Sequence, residues 1–155
     1  MKKQIFYFLL LFTFISCQDD VKFNNPSFQS IKENVFWRAI NYNANLSNTG
    51  VLTINAYTRN EIVILKTASS KLATYALGAN TSNTASYQIK TNSITTNFST
   101  GSDFGDGQIV ITEYDKTNKT ISGTFRFNVR NVDQNPLYDD FINFQQGVFY
   151  KIPVN

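Results

Sequence analysis

Thr120-Ile121-Ser122-Gly123-Thr124-Phe125-Arg126-Phe127-Asn128-Val129 decides the fold. Ile121, Phe125, Phe127 and Val129 alternate with Thr120, Ser122, Thr124, Arg126 and Asn128. In an extended strand successive side chains point to opposite faces, so this stretch offers one apolar face to a core and one polar face to water. Gly123 stands where an inward side chain belongs, which predicts a bulge or close packing against an aromatic ring. Residues 115–119, five polar positions with Asn118 near their end, read as the hairpin loop before this strand. Asn tolerates the left-handed conformation such a loop needs.

Working outward, the same period of two recurs. Residues 108–114 form the preceding strand. Residues 35–42, 51–57 and 61–66 read as three more, the last apolar on both faces and therefore central. Residues 72–77, 86–90 and 94–98 carry weaker alternation. The chain closes with 141–144 and 148–152, joined across Gln145-Gln146-Gly147. No helical period of useful length occurs after residue 17. Short strands with turn residues at hairpin spacing predict an all-β, antiparallel β-sandwich of about 8–10 strands, with an up-and-down or calycin-like β-barrel as the alternative. The expected organisation is a signal peptide over 1–16, a modified Cys17 with a tether over 17–32, and a single domain over 33–155. Phe23 and Phe28 lie in that tether, as residues that could dock on the domain.

The signal is read from the first residues. Lys2 and Lys3 give a positive start, and residues 5–15 are almost wholly apolar, broken by Thr13. A membrane-spanning helix needs about 20 apolar residues, so this run is too short and fits a secretory signal. Phe14-Ile15-Ser16-Cys17 resembles the lipobox of bacterial lipoproteins, with Phe in place of the usual Leu at its first position. The resemblance implies a diacylglyceryl group on the Cys17 thiol, cleavage before Cys17 and acylation of the new amine. Stable anchoring takes more than one acyl chain, which a triacylated cysteine provides. Gln18-Asp19-Asp20 resembles the acidic signal by which Bacteroidota lipoproteins reach the cell surface, and points there rather than to the periplasmic face of the outer membrane.

Composition narrows the chemistry. Of 155 residues, 14 are Lys or Arg and 11 are Asp or Glu. Lys2 and Lys3 leave with the signal, so the formal charge falls from +3 to +1. No basic face is visible, which argues against nucleic acid as a partner. There is no His, which removes the commonest general base and metal ligand. A Ser-His-Asp triad and the usual zinc sites are excluded. Cys17 is the only cysteine, so the mature chain has neither a disulfide nor a thiol nucleophile.

Four constellations remain. Glu113 with Asp115, and Asp139 beside Asp140, are carboxylate pairs of the kind a glycosidase uses about 5–10 Å apart. The plainer account is solvated charge at loops and strand ends. Asp103 and Asp106 stand in Gly101-Ser102-Asp103-Phe104-Gly105-Asp106-Gly107 and are candidate Ca²⁺ ligands. The spacing is not that of an EF-hand, and a flexible connection is the simpler reading. Trp37 beside Arg38 is a candidate sugar-stacking platform, against ordinary packing on the first strand. Phe125, Phe127, Phe149 and Tyr150 read as core.

Four segments in order resemble a family: Phe23-Asn24-Asn25-Pro26-Ser27-Phe28-Gln29, Phe36-Trp37-Arg38-Ala39, Thr120-Ile121-Ser122-Gly123-Thr124-Phe125, and Gly147-Val148-Phe149-Tyr150-Lys151-Ile152-Pro153. Together they are similar to an uncharacterised lipoprotein family of flavobacteria and their relatives, a domain of unknown function. The resemblance implies a Bacteroidota source and an outer-membrane lipoprotein. It implies no reaction.

The expectation is a lipid-anchored, non-enzymatic binding or envelope-interaction module without cofactor, whose partner is a protein or glycan. The alternatives are a carrier holding a small apolar ligand in a lipocalin-like barrel, and a carbohydrate-active enzyme using two carboxylates.

Overall fold

Alternation of apolar and polar residues runs through nearly every segment of the computed structural model, which describes residues 27–155. Eleven strands follow in chain order: β1 (Ser27–Lys32), β2 (Val35–Arg38), β3 (Asn41–Leu46), β4 (Leu52–Tyr57), β5 (Glu61–Thr67), β6 (Ala73–Leu77), β7 (Thr84–Thr91), β8 (Ile94–Ser99), β9 (Asp106–Asp115), β10 (Thr120–Asn131) and β11 (Phe141–Pro153). The pairing is antiparallel throughout the named strands. The all-β antiparallel expectation holds.

The strands form one sheet in the order β2-β1-β11-β10-β8-β7-β5-β4-β3, with β9 beside β10 and β6 beside β9. The first and last strands of that path are neighbours in sequence. Ala39 N–H donates to the Phe28 carbonyl and Ile40 N–H to the Tyr57 carbonyl, so the link between β2 and β3 bonds to both β1 and β4. A parallel bridge between Ala44 and Val154 ties β3 to the end of the chain. The sheet therefore curls back towards itself, with the layered core of a sandwich and the neighbour-to-neighbour connectivity of a barrel.

Several boundaries differ from the sequence reading. Residues 27–32, expected in the tether, form β1 between β2 and β11. Phe28 is 0 % exposed and is a core residue. The sequence pattern is hard to see there because β1 is short and flanked by polar residues. Residues 35–42 are not one strand; Ala39 and Ile40 divide them. Gln145-Gln146-Gly147 is not a turn but an irregularity inside β11, with Gln146 at φ 52° and the register to β10 shifting between Phe125 and Phe127. In the 115–119 loop the left-handed residue is Lys119 (φ 50°), because the Asn118 side chain and backbone are engaged by Asp115. Residues 1–16, Cys17, Gln18-Asp19-Asp20 and Phe23 lie outside the described residues.

The interior is aromatic. Phe28 lies 4.8 Å from Phe125 and 6.0 Å from Trp37, centroid to centroid, and Phe144 lies 4.7 Å from Phe127 and 5.4 Å from Tyr87. Such tilted and edge-on contacts are the favoured geometries of aromatic pairs. Each fully buried Phe contributes roughly 1.5–3 kcal/mol relative to exposure. Phe125, Phe127 and Phe149 are core as expected, whereas Tyr150 is half-buried. An eight-strand barrel has an interior about wide enough for side chains to fill. Here the rings of Phe28, Phe125, Phe127, Phe144 and Tyr87 are buried against one another.

Candidate functional site

Glu61, at the start of β5, is a partly buried carboxylate with several hydrogen-bond partners. Its Oε1 pairs with Lys32 Nζ and accepts from the Tyr87 hydroxyl. Its Oε2 accepts from Trp37 Nε1 at 2.6 Å and from Thr58 Oγ1 at 3.3 Å. Lys32 Nζ also donates to the Tyr87 oxygen at 3.1 Å and stands 5.1 Å from that ring's centroid. Burial works to raise the Glu61 pKa, but hydrogen bonds from Lys32, Tyr87 and Trp37 together with the charge of Lys32 outweigh it, and the net shift is downward. Burial, then the hydrogen bond to Glu61 and its charge, push the Tyr87 phenol up. Glu61 is thus held as a carboxylate, the opposite of what a general acid needs. It joins β1, β2, β5 and β7 and is a structural centre.

This arrangement corrects the platform expected at Trp37 and Arg38. Trp37 is 5 % exposed, packed edge-on against Phe28 and Phe144, with its N–H committed to Glu61. Arg38 is exposed. Adjacent residues of a strand face opposite ways, so the two cannot share one ligand.

The other expected groups lie apart. Asp106 accepts from Asn128 Nδ2 at 2.8 Å, while Asp103 sits exposed in a left-handed turn (φ 67°) whose N–H donates to the Gly78 carbonyl. Among the described residues no three His, Cys, Asp or Glu side chains are grouped as a metal site. Glu113 accepts from Ser122 Oγ at 3.2 Å. Asp115 caps the β9–β10 turn, accepting from the Asn118 and Thr117 backbone N–H groups. These bonds, that of the Asn118 backbone first, lower its pKa. Asp139 and Asp140 are exposed in the β10–β11 loop.

That loop builds a surface groove of about 660 Å³ lined by residues including Arg130, Gln134, Tyr138, Asp140 and Phe141. Arg130 and Phe141 are direct cross-strand partners at the ends of β10 and β11. A smaller depression of about 180 Å³ shares Arg130, Asn131 and Gln134 with it and is walled by Phe104 of the Gly-rich loop. Phe141 is 51 % exposed although large and apolar.

Buried amides hold the loop. Asn131, 5 % exposed, donates to the Asn135 carbonyl at 2.9 Å, and its Oδ1 accepts the Asn135 N–H at 3.2 Å. Asn135 Nδ2 donates to Thr96 Oγ1 at 2.7 Å and its Oδ1 caps Leu137 N–H. Asp133 Oδ2 accepts from both the backbone and the side chain of Asn97 at 2.8 Å. The Tyr138 and Thr91 hydroxyls bond at 2.7 Å. Asn135→Ala removes two of these bonds, those to Thr96 Oγ1 and from Leu137 N–H. We expect a loss of about 1–3 kcal/mol in urea unfolding and faster amide exchange confined to 132–140.

Of the groove, the sequence points only to Asp140, as one of a carboxylate pair and not as part of a binding surface. Asn131-Val132-Asp133-Gln134-Asn135-Pro136 reads as a polar loop, and Arg130 lies eleven positions from Phe141. The usable signal was the cluster of Asn, Asp and Pro between two strong strands.

The profile of a domain of unknown function, DUF6252, matches residues 24–153. The chain belongs to the DUF6252 family. The match takes in every strand from β1 to β11, which agrees with the placement of residues 27–32 inside the domain. No curated protein and no solved structure was found to match.

Proposed function

We propose that this DUF6252 chain is a lipid-anchored outer-membrane protein that binds a partner, without catalysis, through the groove around Arg130. The observation that carries the reading is the groove itself, where an exposed aromatic ring and a cation stand at the strand ends on either side of a loop held by side-chain hydrogen bonds. Ordering a loop in advance reduces the entropic cost of binding. Its position also suits an anchored module. Ser27, where the described chain begins, pairs with Tyr150, and nine residues of β11 separate Tyr150 from Phe141. At about 3.3 Å per residue that is roughly 30 Å of strand, so the groove lies at the opposite end of β11 from Ser27.

The lipobox-like Phe14-Ile15-Ser16-Cys17 supplies the anchor in this reading, and Gln18-Asp19-Asp20 supports surface display in a Bacteroidota host. The test is intact mass and protease accessibility of the full chain in such a host, beside Cys17→Ala. The expected result is a triacylated wild type cleaved by protease added to whole cells, and an unlipidated variant. A wild type without lipid overturns the anchor; a lipidated but protected protein moves it to the periplasmic face.

A further inference from the structure

We propose that the Arg130 groove binds a neutral saccharide chain. This deepens the binding-module reading and rests on it. A sugar ring offers an apolar C–H face and an edge of hydroxyls, each both donor and acceptor. Phe141 supplies an exposed ring for the face. Its cross-strand partner Arg130 supplies a planar fork of donors beside it. Asp140 offers acceptors and Gln134 both kinds. The side chains of Arg130, Gln134 and Asp140 make no hydrogen bond or ion pair among the described residues, so their capacity is unspent. By contrast the amides of Asn131 and Asn135 are consumed in holding the loop.

Charge selects against other ligands of similar size. Residues 130–141 carry Asp133, Asp139 and Asp140 against the single Arg130, and Asp140 lines the groove with it, so an anionic chain meets a segment of net negative charge. A basic peptide meets Arg130 at the centre. A neutral ligand avoids both. The adjoining depression, which shares Arg130 and Gln134 and is walled by Phe104, gives a second ring, which fits a chain longer than one sugar unit.

The test is binding of the lipidated full chain, in detergent micelles, to arrays of neutral gluco-, galacto- and manno-oligosaccharides, acidic uronate chains and a lysine-rich peptide. The expected result is saturable binding to a neutral series, insensitive to salt between about 0.05 and 0.5 M. Phe141→Ala and Arg130→Gln should each weaken it by about tenfold or more while keeping the wild-type thermal midpoint. Arg130→Lys should not restore it, because an ammonium lacks the planar fork. Asp140→Asn provides a second groove variant should Phe141→Ala fold poorly, and it should also weaken binding. No neutral series bound, preference for the acidic chains or the peptide, or binding unmoved by every groove variant overturns the proposal. The anchor measured with Cys17→Ala does not depend on this outcome, so the two failures are distinguishable.

Discussion

Gly123→Ala is expected to cost about 3 kcal/mol or more, read as a lowered urea midpoint, and to leave little folded protein at moderate temperature. A Cβ at this position would stand 2.0 Å from the Val110 carbonyl oxygen and 2.4 Å from the Phe149 ring. Overpacking in a core typically costs about 1–3 kcal/mol when side chains can shift. Here the nearest atom is backbone, held in the β9–β10 pairing, where the register shifts between Ser122 and Gly123. Phe149 has no room to withdraw, being itself 0 % exposed. Shrinking the ring, as Phe149→Leu in the Gly123→Ala background, relieves one contact but not the carbonyl, so rescue should be partial. Full stability of Gly123→Ala would show that β9 can slide and that the bulge is not required.

The fold was legible where burial imposes a period. Gly123 is the clearest instance, since a glycine at an inward position of a strong alternating strand has few explanations, and both of the expected ones, a bulge and an aromatic neighbour, are present. β5 reads as central for the same reason and lies between β4 and β7. Legibility failed where pairing is long-range. Nothing within 27–32 announces that β11 completes its bonding, so the segment reads as tether. A bulge at Gln146 and a turn at Gln146 look alike in one dimension, because both need a left-handed residue.

The candidate site shows the same limit. A cation beside an aromatic is offered by the sequence at Trp37-Arg38, where adjacency in a strand means opposite faces. It occurs at Arg130 and Phe141, eleven residues apart in the chain and directly opposed in the sheet. Cross-strand neighbours are set by register, and register depends on the length and shape of the connecting loop. Two side chains that look like loop polarity, Asn131 and Asn135, fix that shape.

Glu61→Leu is expected to destabilise by about 2–4 kcal/mol, and by more than Lys32→Met. The asymmetry follows from who is left unpaired. Without Glu61, Trp37 loses the acceptor for its indole N–H, and the Lys32 charge loses its counter-ion beside buried rings. Without Lys32, Glu61 still accepts from Tyr87, Trp37 and Thr58. Urea unfolding of the two variants gives the order directly; equal losses would mean that the ion pair, rather than the carboxylate as a shared acceptor, holds the cluster. The same group sets an acid limit. The folded-state pKa of Glu61 lies below its ordinary value of 4.5. Its contribution is therefore fully present above that value and is lost as pH falls through the folded pKa. Wild-type stability should decline below about pH 4.5, and Glu61→Leu, already lacking the contribution, should show a shallower decline over the same range. Parallel curves would place the acid sensitivity in other carboxylates, with the turn-capping Asp115, also shifted downward, the next to test by Asp115→Asn.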